Sequence, residues 1–127
     1  MGAARAEIEI AKDTDETWAV AGDFEGIGAW MPGIDSCVID GDDRILKMMG
    51  LEIRERLESR DGQARALTYA IVSGVPVINH RATITVTPGP IGSKVTWDVE
   101  VEPGEMTDLM QQTYQGALVA LKEKLEA

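Results

Sequence analysis

At 127 residues and 44% hydrophobic composition, the chain is long enough for one domain with a real core and too apolar to be a disordered segment. Its formal net charge of −10 argues against nucleic acid or an anionic membrane as partner. Cys37, the one cysteine, allows no internal disulfide; with no signal-like N-terminus and no apolar run of spanning length, a cytoplasmic protein without integral membrane association is expected. One histidine and one cysteine leave no ligand spacing for zinc, and neither a metal nor a cofactor is expected.

Residues 4–12 alternate, with Ile8 and Ile10 on one face and Glu7 and Glu9 on the other, as in a strand with one wet side. Asp13 followed by Glu16 reads as a capping box opening a short helix through Trp18 and Val20, which Gly22 ends. Phe24 to Trp30 predicts a second short helix weakened by Gly26 and Gly28, and Met31-Pro32-Gly33 turns the chain.

Six strands follow. Ser36 to Asp40 is short. Arg44 to Met49 alternates, with Leu46 and Met48 opposite Ile45, Lys47 and Met49. After Gly50, Leu51, Ile53, Glu55 and Leu57 share a face, and Glu52, Arg54, Arg56 and Glu58 take the solvent side. Asp61-Gly62 is a turn signal, and Ala66 to Val72 then points Leu67, Tyr69 and Ile71 inward. From about Val77 to Thr87, His80, Ala82, Ile84 and Val86 form one face against Asn79, Arg81, Thr83 and Thr85. Lys94 to Glu102 sets Val95, Trp97, Val99 and Val101 against Thr96, Asp98, Glu100 and Glu102.

From Pro103 on, Met106, Leu109, Met110, Thr113, Tyr114, Ala117, Leu118, Leu121 and Leu125 recur at steps of three and four, the stripe of one long helix. Glu105 and Asp108 in its first turn and Lys122 and Lys124 near its end suit the helix dipole. The order β, α, α, six β, long α predicts an α+β fold: an antiparallel sheet of seven strands burying the last helix against one face.

That inward face is not a plain core. Glu55, Tyr69 and His80 fall in register with the aliphatic set, and polar groups on a sheet curved around one helix suggest a ligand cavity. Each also has a plainer reading: a hydrogen-bonded core histidine, a carboxylate turned to water by a one-residue slip, a packing phenol. Trp18 reads as structural, Trp97 as core or cavity wall, and Trp30, where helix meets loop, as an entrance residue. Met31, Met48, Met106 and Met110 supply adaptable apolar surface suited to an irregular guest.

The blocks GDFEGIGAWMPGIDSC, LEIRERLESRDGQARALTYAIV, INHRATITV and KVTWDVEVEP, with the closing helix, together resemble the START/Bet v1-like superfamily. Within it they are similar to the small bacterial group of polyketide cyclase/dehydrase-like, or SRPBCC, proteins. The resemblance spans residues 4–126 and implies a helix-grip fold enclosing a hydrophobic cavity. More distantly, the same blocks resemble the plant abscisic-acid receptors. There Glu55, Tyr69, Ile71, His80, Leu109, Thr113 and Ala117 fall at pocket positions, and Met31 replaces a cavity lysine. That replacement speaks against recognition of an acid, and the curtailed loop at Met49-Gly50 against a gating switch. The expected ligand wall also includes Met31, Leu46, Met48, Ile53, Leu57, Ala82, Trp97 and Met110, with Trp30 at an entrance.

Three functions compete. The first is a carrier or binding protein for a small, largely hydrophobic or amphipathic molecule. The second is a cyclase or dehydratase in which His80 or Glu55 is the base and Tyr69 donates to a developing oxyanion. The third is a protein-interaction module docking through its acidic face. Arg54, Arg56 and Arg81 all read outward, so the cavity is expected to lack a basic group, which favours the first.

Overall fold

The computed structural model describes residues 2–127. Its strands are β1 (Gly2–Ile10), β2 (Ile34–Asp40), β3 (Asp43–Met48), β4 (Leu51–Asp61), β5 (Ala66–Ser73), β6 (Ile78–Gly89) and β7 (Gly92–Glu102). They form one antiparallel sheet in the order β1-β7-β6-β5-β4-β3-β2, so consecutive strands from β2 to β7 are hairpin neighbours and β1 adds beside β7. The helices are α1 (Thr14–Ala21), a 3₁₀ segment Phe24–Ala29, and α2 (Thr107–Glu126), led in by a 3₁₀ turn at Gly104–Met106. The predicted α+β, helix-grip arrangement of seven strands, two short helices after the first strand and a long last helix is what the chain adopts.

Local chemistry accounts for the joints. The Asp13 carboxylate accepts from the Glu16 backbone N–H at 2.8 Å, capping α1. A buried pair of hydroxyls, Thr17 and Ser93, 2.8 Å apart, ties α1 to the start of β7. Met49 and Gly50, both at positive φ, make the two-residue β3–β4 hairpin. The long helix starts later than its stripe suggests, because Pro103 to Met106 is spent on the 3₁₀ turn.

α2 runs along β1 from the close approach of Thr107 to Gly2 at its start to Glu126 at its end. β1 is an edge strand, and α2 side chains satisfy its open backbone groups: Gln115 donates to Glu7 O at 2.9 Å and Lys122 donates to Glu9 O at 2.8 Å. Glu126 accepts from the Ala11 N–H at 2.8 Å. Here Ala117, Leu118 and Leu121 are fully buried in the same core cluster as Ile10 and Val95. Toward its N-terminus the helix overhangs: Leu109, on the predicted apolar stripe, is 59% exposed and Thr113 only half-buried. The core is solid where β1, β7 and the end of α2 meet, and opens under the start of α2.

Candidate ligand-binding site

The opening is a cavity of about 150 Å³ between β3, β4, β5, β7 and the first half of α2. An apolar void of roughly this size is enough to take up benzene or xenon. Leu46, Met48 and Ile53 wall it from the sheet, Ile71 and Val75 from β5 and the loop after it, and Met106, Met110 and Thr113 from the helix side. Met49, Leu51 and Leu109 also line it while remaining solvent-exposed, which places the mouth between the β3–β4 hairpin and the first turns of α2.

Polar groups gather at the inner end. Arg44, only 1% exposed, donates from Nε to Glu55 Oε1 at 2.8 Å and from Nη1 to Phe24 O at 2.7 Å. Its guanidinium carbon sits 3.9 Å from the centre of the Phe24 ring and 4.8 Å from that of Tyr69. A buried carboxylate is thereby matched by a buried cation that is itself stacked and hydrogen-bonded, the condition under which such a pair survives desolvation. Arg44 corrects the expectation of a cavity without a basic group. It points inward because it is in step with Leu46 and Met48 along β3, while Arg54 and Arg56 stay outside and hold Asp43 there. Those two guanidinium donors, Arg56 first, lower the Asp43 carboxyl to a pKa of about 2.

Beside the ion pair runs a chain of aromatic polar groups. The backbone N–H of Ile71 donates to His80 Nδ1 at 3.0 Å, and His80 Nε2 lies 3.0 Å from the Tyr114 hydroxyl. With Nδ1 occupied as an acceptor, the neutral ring carries its proton on Nε2 and donates to Tyr114. Burial lowers the His80 pKa to about 4, so that neutral form persists at pH 7. The Tyr69 and Tyr114 hydroxyls lie 3.4 Å apart, and burial raises both phenol pKa values well above the ordinary range. Tyr114 stacks flat on Trp97, with ring centres 4.1 Å apart and planes within 3°.

Of the residues expected from sequence, Met31, Leu46, Met48, Ile53, Glu55, Tyr69, Ile71, Trp97, Leu109, Met110 and Thr113 line this cavity. Five do not. His80 is buried behind Tyr69 and Tyr114, which come between it and the space. Trp30 is not at an entrance; it packs at a tilt against Trp97, 6.2 Å between ring centres. Ala82 pairs with Tyr69 across β5 and β6 and is covered completely. Leu57 lies at a register irregularity in β4, and Ala117 belongs to the tightly packed part of α2. Besides Arg44, the sequence reading missed Tyr114, Ile27, Met49, Leu51 and Val75 as wall residues, while Met106, read as adaptable apolar surface, does line it. For Tyr114 the signal was available, since it follows Met110 by four residues on the same helical stripe.

Among the described residues no group of three His, Cys, Asp or Glu side chains is placed to hold a metal, and no helix is long and apolar enough to cross a membrane. The family described as polyketide cyclase / dehydrase and lipid transport matches residues 1–126. The chain belongs to that family. The family member superposes with a TM-score of 0.93 on the protein XoxI from Bacillus cereus, at 29% identity over 99% of this chain and 96% of that one. A Bacillus thuringiensis protein gives 0.91 at 28% identity, covering 99% and 100%. A START superfamily protein from Mycobacterium smegmatis gives 0.84 at 19% identity, covering 99% and 98%, a likeness of fold. No curated protein matches the chain in sequence.

Proposed function

We propose that this family member is a cytoplasmic binding protein for a small, largely apolar molecule held between the sheet and the first half of α2. The observation that carries the reading is the cavity itself: about 150 Å³, walled mostly by aliphatic and methionine side chains, with its two charged groups, Arg44 and Glu55, paired to each other. Methionines at five wall positions, Met31, Met48, Met49, Met106 and Met110, let the space adapt to guests of irregular shape. A guest larger than benzene would extend past Met49, Leu51 and Leu109 through the mouth.

The catalytic alternative asks Glu55, whose Oε1 accepts from Arg44 at 2.8 Å, or His80 to take a proton from a guest, and His80 is the less able of the two. Its Nδ1 lone pair is spent on the Ile71 N–H, its Nε2 already bears a proton, and Tyr114 stands in front of it. Binding needs none of these groups to react, and the geometry favours it.

The test is thermal and calorimetric titration with benzene, toluene and cyclohexane, on the natural chain and on Ile71→Trp, which fills the space. A ligand at one hundred times its dissociation constant stabilises the fold by about 2.7 kcal/mol. The expected result is saturable stabilisation of the natural chain and none of the variant. Absence of binding by all three probes would refute the reading.

A further inference from the structure

The hydrogen bonds at the inner end of the cavity do not balance. His80 Nε2–H, the Tyr69 hydroxyl and the Tyr114 hydroxyl offer three hydrogens, and only two contacts join them. His80 spends one hydrogen on Tyr114 oxygen. Tyr69 spends its hydrogen on the Tyr114 oxygen, 3.4 Å away. Tyr114 accepts from both and keeps an O–H with no protein acceptor among the described residues. Both phenols belong to the cavity wall. The tautomer cannot absorb the surplus, since the Ile71 N–H holds His80 Nδ1 unprotonated.

The electrostatics of the same end are closed. Arg44 is matched by Glu55 at 2.8 Å, so an incoming anion would find its attraction to the guanidinium offset by the carboxylate. A neutral guest with no acceptor leaves a buried hydroxyl unpaired, which is unfavourable. From the three hydrogens and the closed ion pair we infer that the cavity selects an uncharged guest presenting one hydrogen-bond acceptor, a carbonyl oxygen, to the Tyr69–Tyr114 pair, with its apolar body along Ile53, Ile71 and Met110. This rests on the cavity-binding reading and adds to it the chemical class of the guest.

Without Tyr69 the Tyr114 hydroxyl still has its free hydrogen, and without Tyr114 the Tyr69 hydroxyl loses its acceptor and becomes free, so only loss of both should abolish the preference. The probes are cyclohexanone, its near-isostere methylenecyclohexane, and cyclohexanecarboxylate at pH 7, titrated calorimetrically into the natural chain, Tyr69→Phe, Tyr114→Phe and the double variant. The ketone should bind about tenfold more tightly than the olefin, the difference made by one net hydrogen bond. That ratio should survive in either single variant and fall to near unity in the double variant, with olefin affinity retained as proof of an intact cavity. An infrared measurement on the natural chain needs no variant to fold: the C=O stretch of bound cyclohexanone should lie below its position in an alkane solvent. Equal affinity for ketone and olefin, an unshifted stretch, or tighter binding of the carboxylate would overturn this inference and leave cavity binding standing. Failure of every probe would instead remove the binding reading beneath it.

Discussion

Arg44 and Glu55 show what a single residue can hide and what it can carry. The alternation of β3 places position 44 on the same face as Leu46 and Met48, yet a buried arginine is acceptable only if something neutralises it, and that partner comes from β4. Glu55 could be read inward from its own strand; the pairing that makes both tenable is tertiary. Arg44→Met should cost about 3–5 kcal/mol, because it strands the Glu55 carboxylate in an apolar wall. Arg44→Met combined with Glu55→Leu should cost less than Arg44→Met alone, as denaturant titration of the natural chain and the two variants will show. His80 gives a second prediction. Its pKa is near 4 in the fold against about 6.5 in an unfolded chain, so below pH 6.5 the unfolded state takes up a proton that the native state refuses. Stability is therefore full above pH 6.5 and declines as the pH falls toward 4. As the chain's one histidine it dominates that window, and the loss from pH 7 to pH 5 should be about 2 kcal/mol. Denaturation at pH 7, 6 and 5 should show this slope in the natural chain and a flatter one in His80→Gln.

Elements were the most legible scale. Period-two alternation located the strands other than β2, and the step of three and four located α2, because burial of one face leaves its mark on the sequence regardless of tertiary detail. What alternation does not carry is how far each inward side chain stands from the facing helix. His80 and Ala82 point inward as read, but lie behind Tyr69 and under close packing, whereas Val75 reaches the wall from a loop that no periodicity marks. Gly74 sets that loop. It sits at φ +106° and a Cβ there would run into the carbonyl of Glu52 on β4. Only glycine fits this approach, so Gly74→Ala should lose about 1–3 kcal/mol from backbone strain alone and disturb Val75 at the cavity wall. Thermal denaturation, with the chemical shifts of the Val75 methyl groups, checks both effects.

For the whole molecule, the sign of the helix–sheet contact matters more than its extent. The end of α2 is bound to β1 through Gln115, Lys122 and Glu126 and to the core through Leu118 and Leu121, while its first turns touch β1 at Gly2 but stand off β3, β4 and β5, where the cavity lies. A helix held along the edge strand of a curved sheet leaves a wedge between its first turns and β3 to β5, and the cavity occupies that wedge. The stripe from Met106 to Leu125 reads as uniform in sequence, so neither the wedge nor its volume could be taken from it. Diffraction from crystals held under xenon pressure tests the wedge most directly, since xenon enters apolar space without needing a polar contact. The account predicts xenon density between Ile53, Ile71, Met110 and Trp97. Crystals that take up no xenon there, with side chains closing the space, would contradict it.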